Sequence, residues 1–294
     1  VHWRKAAILG VGLLGGSLGM ALRQRGLAGE VWGLVRRASA GGEAVERGVV
    51  DRAEARLEAV LDGADLVVLC TPLGQMRALA ERLLGSLHSG ALVTDVGSVK
   101  GSVVREVEGP VSAAGGRFVG SHPMAGSERS GMGAARGDLF EGAVSVVTPT
   151  EHTEAGALRE VRALWEGVGA QVWEMSAERH DDLVSRSSHL TYWVSAVLAG
   201  HVLSPSQPEG QGRLCASGFR DTTRVAAGSA VMWRDIALAN REALLRAMDG
   251  YEAEWKRFRA ALESGDARLL DACLGEAQRR REAWGLPTGP LGGE

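Results

Sequence analysis

The sequence predicts a doubly wound parallel α/β sheet followed by an all-helical domain. Three observations carry this. The apolar run at residues 6–9 leads through Gly10-Val11-Gly12-Leu13-Leu14-Gly15 straight into a helical pattern. Short apolar runs then alternate with helical patterns up to about residue 174. From Ser176 onward the short runs stop and long helical periodicities take over. The implied organisation is one domain over 1–174, a second over 175–285, and a frayed tail over 286–294 with little to bury.

The elements follow in order. Strands are expected over residues 6–9, 30–35, 65–70, 91–94, 117–119, 144–148 and 171–173. Near-continuous apolar runs of this length suit strands covered on both faces; the later ones are open to antiparallel pairing. Helices are expected over 16–25, 75–87 and 154–167 in the first half. In the second half they are expected over 177–198, 213–226, 230–262 and 267–283. No internal repeat is present.

Composition sets limits. The chain has 294 residues and a net charge of -3, which gives no basic surface for nucleic acid. Cys70, Cys215 and Cys273 are far apart and fit neither a disulfide framework nor a zinc spacing, so no metal is expected. The basic start Val1-His2-Trp3-Arg4-Lys5 before an apolar stretch resembles a secretory signal. Glycine is too abundant there for such a helix, however, and Arg23-Gln24-Arg25 stands where small residues would be cleaved. No segment approaches the roughly 20 apolar residues of a membrane span. A cytoplasmic location is the expectation.

The glycine run is a dinucleotide fingerprint of the Rossmann type. Gly10 allows a tight turn and Gly12 lets the backbone approach a pyrophosphate. Gly15 lets helix and strand pack, and the N–H groups at Leu13 and Leu14 open the helix toward phosphate. Where an NAD site carries an acid at the end of the second strand, this chain has Val35 followed by Arg36 and Arg37. Two guanidinium forks suit a 2′-phosphate, so NADP is expected, with NAD the alternative. Thr71 and Pro72 end one strand on the ligand side of the sheet. Asp95, Gly97 and Ser98 end the next, where Ser98 could cap a helix or face a ligand.

The run Gly120-Ser121-His122-Pro123-Met124-Ala125-Gly126-Ser127-Glu128 reads as a substrate loop. Small residues admit a ligand close to the backbone. Pro123 fixes the chain after His122, whose imidazole can take a proton near neutral pH. His180-Asp181-Asp182 reads only as the start of a helix. His189, on a long helix, has packing as its ordinary role.

These motifs resemble the prephenate/arogenate dehydrogenase family. The similarity rests on Gly10 to Gly15, Asp95 to Lys100, Gly120 to Glu128, Ser188-His189-Leu190, Gly218 to Ala226, Met232-Trp233-Arg234-Asp235 and Asn240, in the family's order. It implies oxidation of the ring alcohol of prephenate with loss of carbon dioxide, giving 4-hydroxyphenylpyruvate on the way to tyrosine. It also implies an all-α dimerisation domain forming a homodimer. By this resemblance His122 is the base, and Ser98 hydrogen-bonds both His122 and substrate. Arg224, rather than Arg220, holds a substrate carboxylate. Glu128 gates or orients the site beside Ser127, and His189 lines the pocket. The chain departs from the family in reading Thr191-Tyr192 where Pro-His is common, which puts the local helix kink in question. No fused mutase or regulatory domain is expected. The alternatives are an arogenate or dual-specificity enzyme, another oxidoreductase on the same plan acting on β-hydroxyacids or imines, or a non-catalytic NADP sensor. The last has no use for His122, Ser98 and Arg224 together.

Overall fold

The computed structural model describes residues 2–127 and 129–285, among which lie nine strands and twelve α-helices. Six strands form the main sheet: β1 (Trp3–Leu9), β2 (Ala28–Leu34), β3 (Arg52–Glu54), β4 (Leu66–Leu69), β5 (Leu92–Asp95) and β6 (Arg117–Phe118). Their order is β3-β2-β1-β4-β5-β6, and every neighbouring pair is parallel. The order reverses between β1 and β4, which opens a ligand crevice beyond their C-terminal ends.

The apolar runs alternate between two cores. Ala6, Ile8, Leu66 and Val68 face one way, against α1 (Leu13–Gln24), α2 (Ser39–Glu46) and α6 (Ala155–Gly167). Ala7, Leu9, Val67 and Leu69 face the other, against α3 (Leu57–Leu61), α4 (Leu73–Glu81) and α5 (Lys100–Ala113). Each fully buried aliphatic side chain contributes roughly 1.5–3 kcal/mol. Two covered faces explain why these strands read as unbroken apolar runs rather than alternating ones.

The last strands leave this sheet. β7 (Gly120–Pro123), β8 (Val144–Thr148) and β9 (Gln171–Glu174) form a separate three-stranded sheet, antiparallel between β7 and β8 and parallel between β8 and β9. This corrects the single sheet expected from sequence. It also corrects the position of His122, which lies on a strand paired with Val146 and not in a loop. Gly-Ser-His-Pro has little strand propensity of its own. Pairing with β8 and the Ser121 N–H bond to Asp95 Oδ1 (3.0 Å) hold it extended.

The remaining chain is helical: α7 (Ala177–Val184), α8 (Leu190–Val202), α9 (Ser217–Thr223), α10 (Ala230–Ala239), α11 (Arg241–Ser264) and α12 (Ala267–Ala283). Ser176, Ser229 and Asp266 cap α7, α10 and α12 through their side chains. Gly265, at φ 66°, ends α11 in the left-handed conformation that glycine tolerates. Two expected helices are broken. The one over 230–262 divides at Asn240, and that over 177–198 contains a π-helical turn at Ser185–His189. The helix is thus interrupted without the proline. The expected helix over 213–226 resolves into α9 between 3₁₀ turns at Gln211–Leu214 and Arg224–Ala227. The tail 286–294 lies outside the described residues.

Candidate active site

The glycine turn forms a cradle at the crevice. Gly10 has φ 116°, and a Cβ there would meet Cys70 O at 2.8 Å. A Cβ on Gly15 would meet Gly10 O at 2.1 Å, so strand and helix touch as the fingerprint requires. A Cβ on Gly12 would meet nothing within 4 Å, which leaves open space beside the backbone for a phosphate. No side chain caps α1, so Leu13 and Leu14 begin a helix whose first N–H groups remain available. Across the crevice the Thr71 hydroxyl is buried with no hydrogen-bond partner among the described residues, and Pro72 opens α4. A buried polar atom without a partner is costly, and a dinucleotide reaching this point would satisfy it. The residues present therefore fit such a cofactor. Val35 is buried at the end of β2, while Arg36 and Arg37 are exposed.

His122 sits beside the C-terminal end of β5 and is 8% exposed. Its Nδ1 lies 2.8 Å from His180 Nε2. His180 Nδ1 in turn lies 2.8 Å from Asp181 Oδ1. His122 Nε2 has no hydrogen-bond partner among the described residues, so that nitrogen is left for a ligand. Burial pushes the His122 pKa well below its ordinary value, and His180, Lys100 and His189 push it the same way. Burial also lowers His180, against the pull of Asp181. The imidazole is therefore neutral at physiological pH and able to accept a proton.

The importance of His180 and Asp181 is not legible in the sequence. Asp181 Oδ1 accepts from Lys100 N–H (2.7 Å) and Oδ2 accepts from Gly101 N–H (2.8 Å). A carboxylate from α7 thus caps α5 from outside. This corrects the expectation for Ser98. Val99, not Ser98, occupies the N-cap, and Ser98 makes no hydrogen bond to His122 among the described residues. The Asp-Asp pair after a histidine was the only signal available in the sequence.

Asp95 is corrected too. Its side chain is fully buried and accepts from Gly97 N–H (2.7 Å), Ser121 N–H and the Lys100 ammonium. Both carboxylate oxygens are thus engaged by the protein's own donors. Lys100 is equally buried and also donates to Ser121 O (2.7 Å). Burial lowers its pKa while Asp95 opposes that shift. Gly97 is held by packing, since a Cβ there would meet Asp95 Oδ2 at 2.9 Å.

His189 ends the π-helical turn and is buried. Asn240 Nδ2 donates to Asp181 O (2.8 Å) and lies 3.2 Å from His189 Nδ1. An amide nitrogen only donates, so His189 Nδ1 accepts and its proton sits on Nε2. Burial lowers its pKa to about 4. Trp233 packs edge-on against His189 and stacks on Tyr192 at 4.0 Å. π-turns of this kind recur at functional sites. The structure thus gathers His122, His180, Asp181, Lys100, His189 and Asn240 about one point.

Two predicted residues lie at the surface. Ser127 is exposed, its hydroxyl accepting from Arg129 N–H at 3.1 Å. Arg224 is exposed on the 3₁₀ turn after α9, which packs against α8. Glu128 lies outside the described residues.

Comparisons with known proteins match both halves of the chain. A family model described as prephenate dehydrogenase, nucleotide-binding domain, matches residues 18–174. One described as prephenate dehydrogenase, dimerization domain, matches residues 176–276. Prephenate dehydrogenase of Bacillus subtilis (strain 168) is 36% identical over 287 residues, covering 95% of this chain and 75% of that protein. The crystal structure of prephenate dehydrogenase from A. aeolicus in complex with hydroxyphenyl propionate and NAD+ matches with TM-score 0.90 and 34% identity, covering 96% of this chain and 98% of that one. Arogenate dehydrogenase of Synechocystis matches with TM-score 0.80 and 32% identity over 95% of this chain and 99% of that one. With both halves matched and a buried imidazole beside a dinucleotide crevice, the chain belongs to the prephenate dehydrogenase family.

Proposed function

We propose that this protein oxidatively decarboxylates prephenate to 4-hydroxyphenylpyruvate using NADP. The observation that carries the reading is His122: neutral, buried, tied through Nδ1, and left with Nε2 for a ligand beside the crevice. Gly10, Gly12, Leu13, Leu14, Gly15, Thr71 and Pro72 would hold the dinucleotide, with Arg36 and Arg37 on its 2′-phosphate. When bound, that cofactor accepts the hydride from the ring carbon bearing the hydroxyl.

His122 Nε2 takes the proton of the same hydroxyl. Loss of carbon dioxide returns an electron pair to the ring and leaves a phenolate oxygen. His122 then gives the proton back, so the overall reaction neither consumes nor releases one. A base that starts and ends neutral suits a site that disfavours a lasting imidazolium. Arg224 binds a substrate carboxylate through its fork, and His189 donates from Nε2–H. Ser98 and Ser127 contact substrate, with Glu128 gating its entry.

The helical half carries exposed Leu214, Leu238, Trp255, Leu262 and Leu274. Such surface supports a homodimer through this half. No helix among the described residues is long and apolar enough to cross a membrane. Three free cysteines suit the cytoplasm.

Steady-state assays with prephenate and arogenate, each against NADP and NAD, test the reading. Prephenate with NADP should give the highest kcat/KM. Arg36→Ala/Arg37→Ala should weaken NADP selectively. A preference for arogenate overturns the substrate, a wild-type preference for NAD overturns the cofactor, and inactivity with both substrates overturns the reaction.

A further inference from the structure

Three titratable side chains from two different parts of the fold lie in line. His122 is on β7, while His180 and Asp181 are on α7, the first helix of the helical half. The contacts are His122 Nδ1 to His180 Nε2 and His180 Nδ1 to Asp181 Oδ1, both 2.8 Å. The two imidazoles meet edge to face, with an interplanar angle of 74°. His180 is 1% exposed and Asp181 8% exposed.

The direction of the protons follows from the far end. An ionised carboxylate only accepts hydrogen bonds, so His180 Nδ1 must be the donor toward Asp181. The neutral ring then has an unprotonated Nε2, which can only accept. His122 Nδ1 must therefore carry the proton of its ring, and its Nε2 must be bare. Asp181 is itself held by the Lys100 and Gly101 N–H groups, so it cannot swing away without uncapping α5. We infer that His180, oriented by Asp181, is a positioning residue that fixes the tautomer and ring direction of His122 so that Nε2 is the proton acceptor.

The inference rests on reading His122 as the base. It gives the helical half a role in the chemistry, because the strand that carries His122 cannot set that ring by itself. The arrangement also keeps the His122 ring oriented at the moment it takes a proton. The imidazolium keeps its Nδ1–H bond to a neighbour that is in turn bonded to a carboxylate, and such chains polarise cooperatively. In a triad of this logic, spoiling the tautomer while keeping the geometry lowers kcat by about 10⁴. Here the carboxylate acts through an intervening ring, so a drop of about 10²–10³ is expected for loss of His180.

The test uses the full-length protein labelled with ¹⁵N at histidine. Nitrogen spectra at neutral pH, with His122→Asn used to assign the ring, report which nitrogen bears the proton. Wild type should show His122 protonated at Nδ1. In His180→Leu that preference should be lost. Kinetically, His180→Leu should lose about 10²–10³ in kcat with KM within a few-fold of wild type. His180→Gln, whose side-chain oxygen can accept from Nδ1–H, should recover at least tenfold of the loss. A wild-type His122 ring protonated at Nε2 overturns the inference, as does a folded His180→Leu with unchanged kcat. A rise in KM alone, or no rescue by glutamine, overturns it too. Should His180→Leu not fold, the wild-type spectrum still decides. Should the enzyme prove inactive with prephenate, the spectrum also separates this inference from the proposed reaction.

Discussion

Replacing Lys100 by methionine should destabilise the protein by several kcal/mol, although the residue lies at the start of a helix where most lysines are dispensable. The Lys100 and Asp95 side chains are both 0% exposed. Methionine keeps the apolar stem and removes the cation. Asp95 then retains only the Gly97 and Ser121 N–H donors, and Ser121 O loses the lysine as a donor. Removing one partner of a buried ion pair typically costs about 3–5 kcal/mol, because the other charge stays behind in a medium that solvates it poorly. At roughly 2–4 °C per kcal/mol, a figure drawn from domains of 150–250 residues, the melting temperature should fall by about 6–20 °C. Urea denaturation followed by tryptophan fluorescence gives the free energy. The paired variant Lys100→Met/Asp95→Asn separates charge from packing. It should lose less than the sum of the two single changes, with a coupling of about 2–3 kcal/mol, near the upper end for contacting residues. A Lys100→Met protein within about 1 kcal/mol of wild type, a figure typical of a surface pair, would refute the assignment of an uncompensated buried charge. Strict additivity in the cycle would refute it equally.

Other outcomes follow from the same geometry. His122→Asn should lower kcat by about 10²–10⁴ with KM largely kept, measured by initial rates under saturating cofactor. Arg224→Ala should raise the prephenate KM by about one to two orders of magnitude, the worth of a hydrogen bond between charged groups at about 1.5–3 kcal/mol. Lysine at that position should rescue it only partly, and cofactor affinity should hold. Stability should fall on acidification. The folded-state pKa values of His122, His180 and His189 are all lowered, so the unfolded chain binds more protons below about 6.5, the ordinary histidine value. Their contribution is complete above that pH and is lost as pH falls, for His189 toward its value of about 4. Denaturation midpoints from pH 7.5 to 4.5 check this. Each histidine adds a slope of up to about 1.4 kcal/mol per pH unit, and a flat profile would contradict it.

Much of this molecule was legible in the chain. The main sheet and its glycine turn were visible because both-face burial writes continuous apolar runs and because Gly10 and Gly15 have no room for a Cβ. The candidate base was visible because His122 stands alone among small residues. Local pattern could not reveal what depends on partners far away in sequence. β3 is three residues long and β7 has poor strand propensity, so both exist through pairing rather than preference. The breaks at Ser185–His189 and Asn240 fall inside unbroken helical periodicity. Asp95 reads as a cofactor ligand until Lys100 and Ser121 are folded onto it. His180 and Asp181 read as a helix start until α7 lies across the end of α5 and brings them to His122, 58 residues away in the chain. Sequence by itself determined the residue types and the local turns that could build a dinucleotide crevice with a base beside it. Only the tertiary structure decided which polar groups meet, because hydrogen-bond direction and the pull of burial on a pKa are set by neighbours within a few ångströms, whatever their distance along the chain.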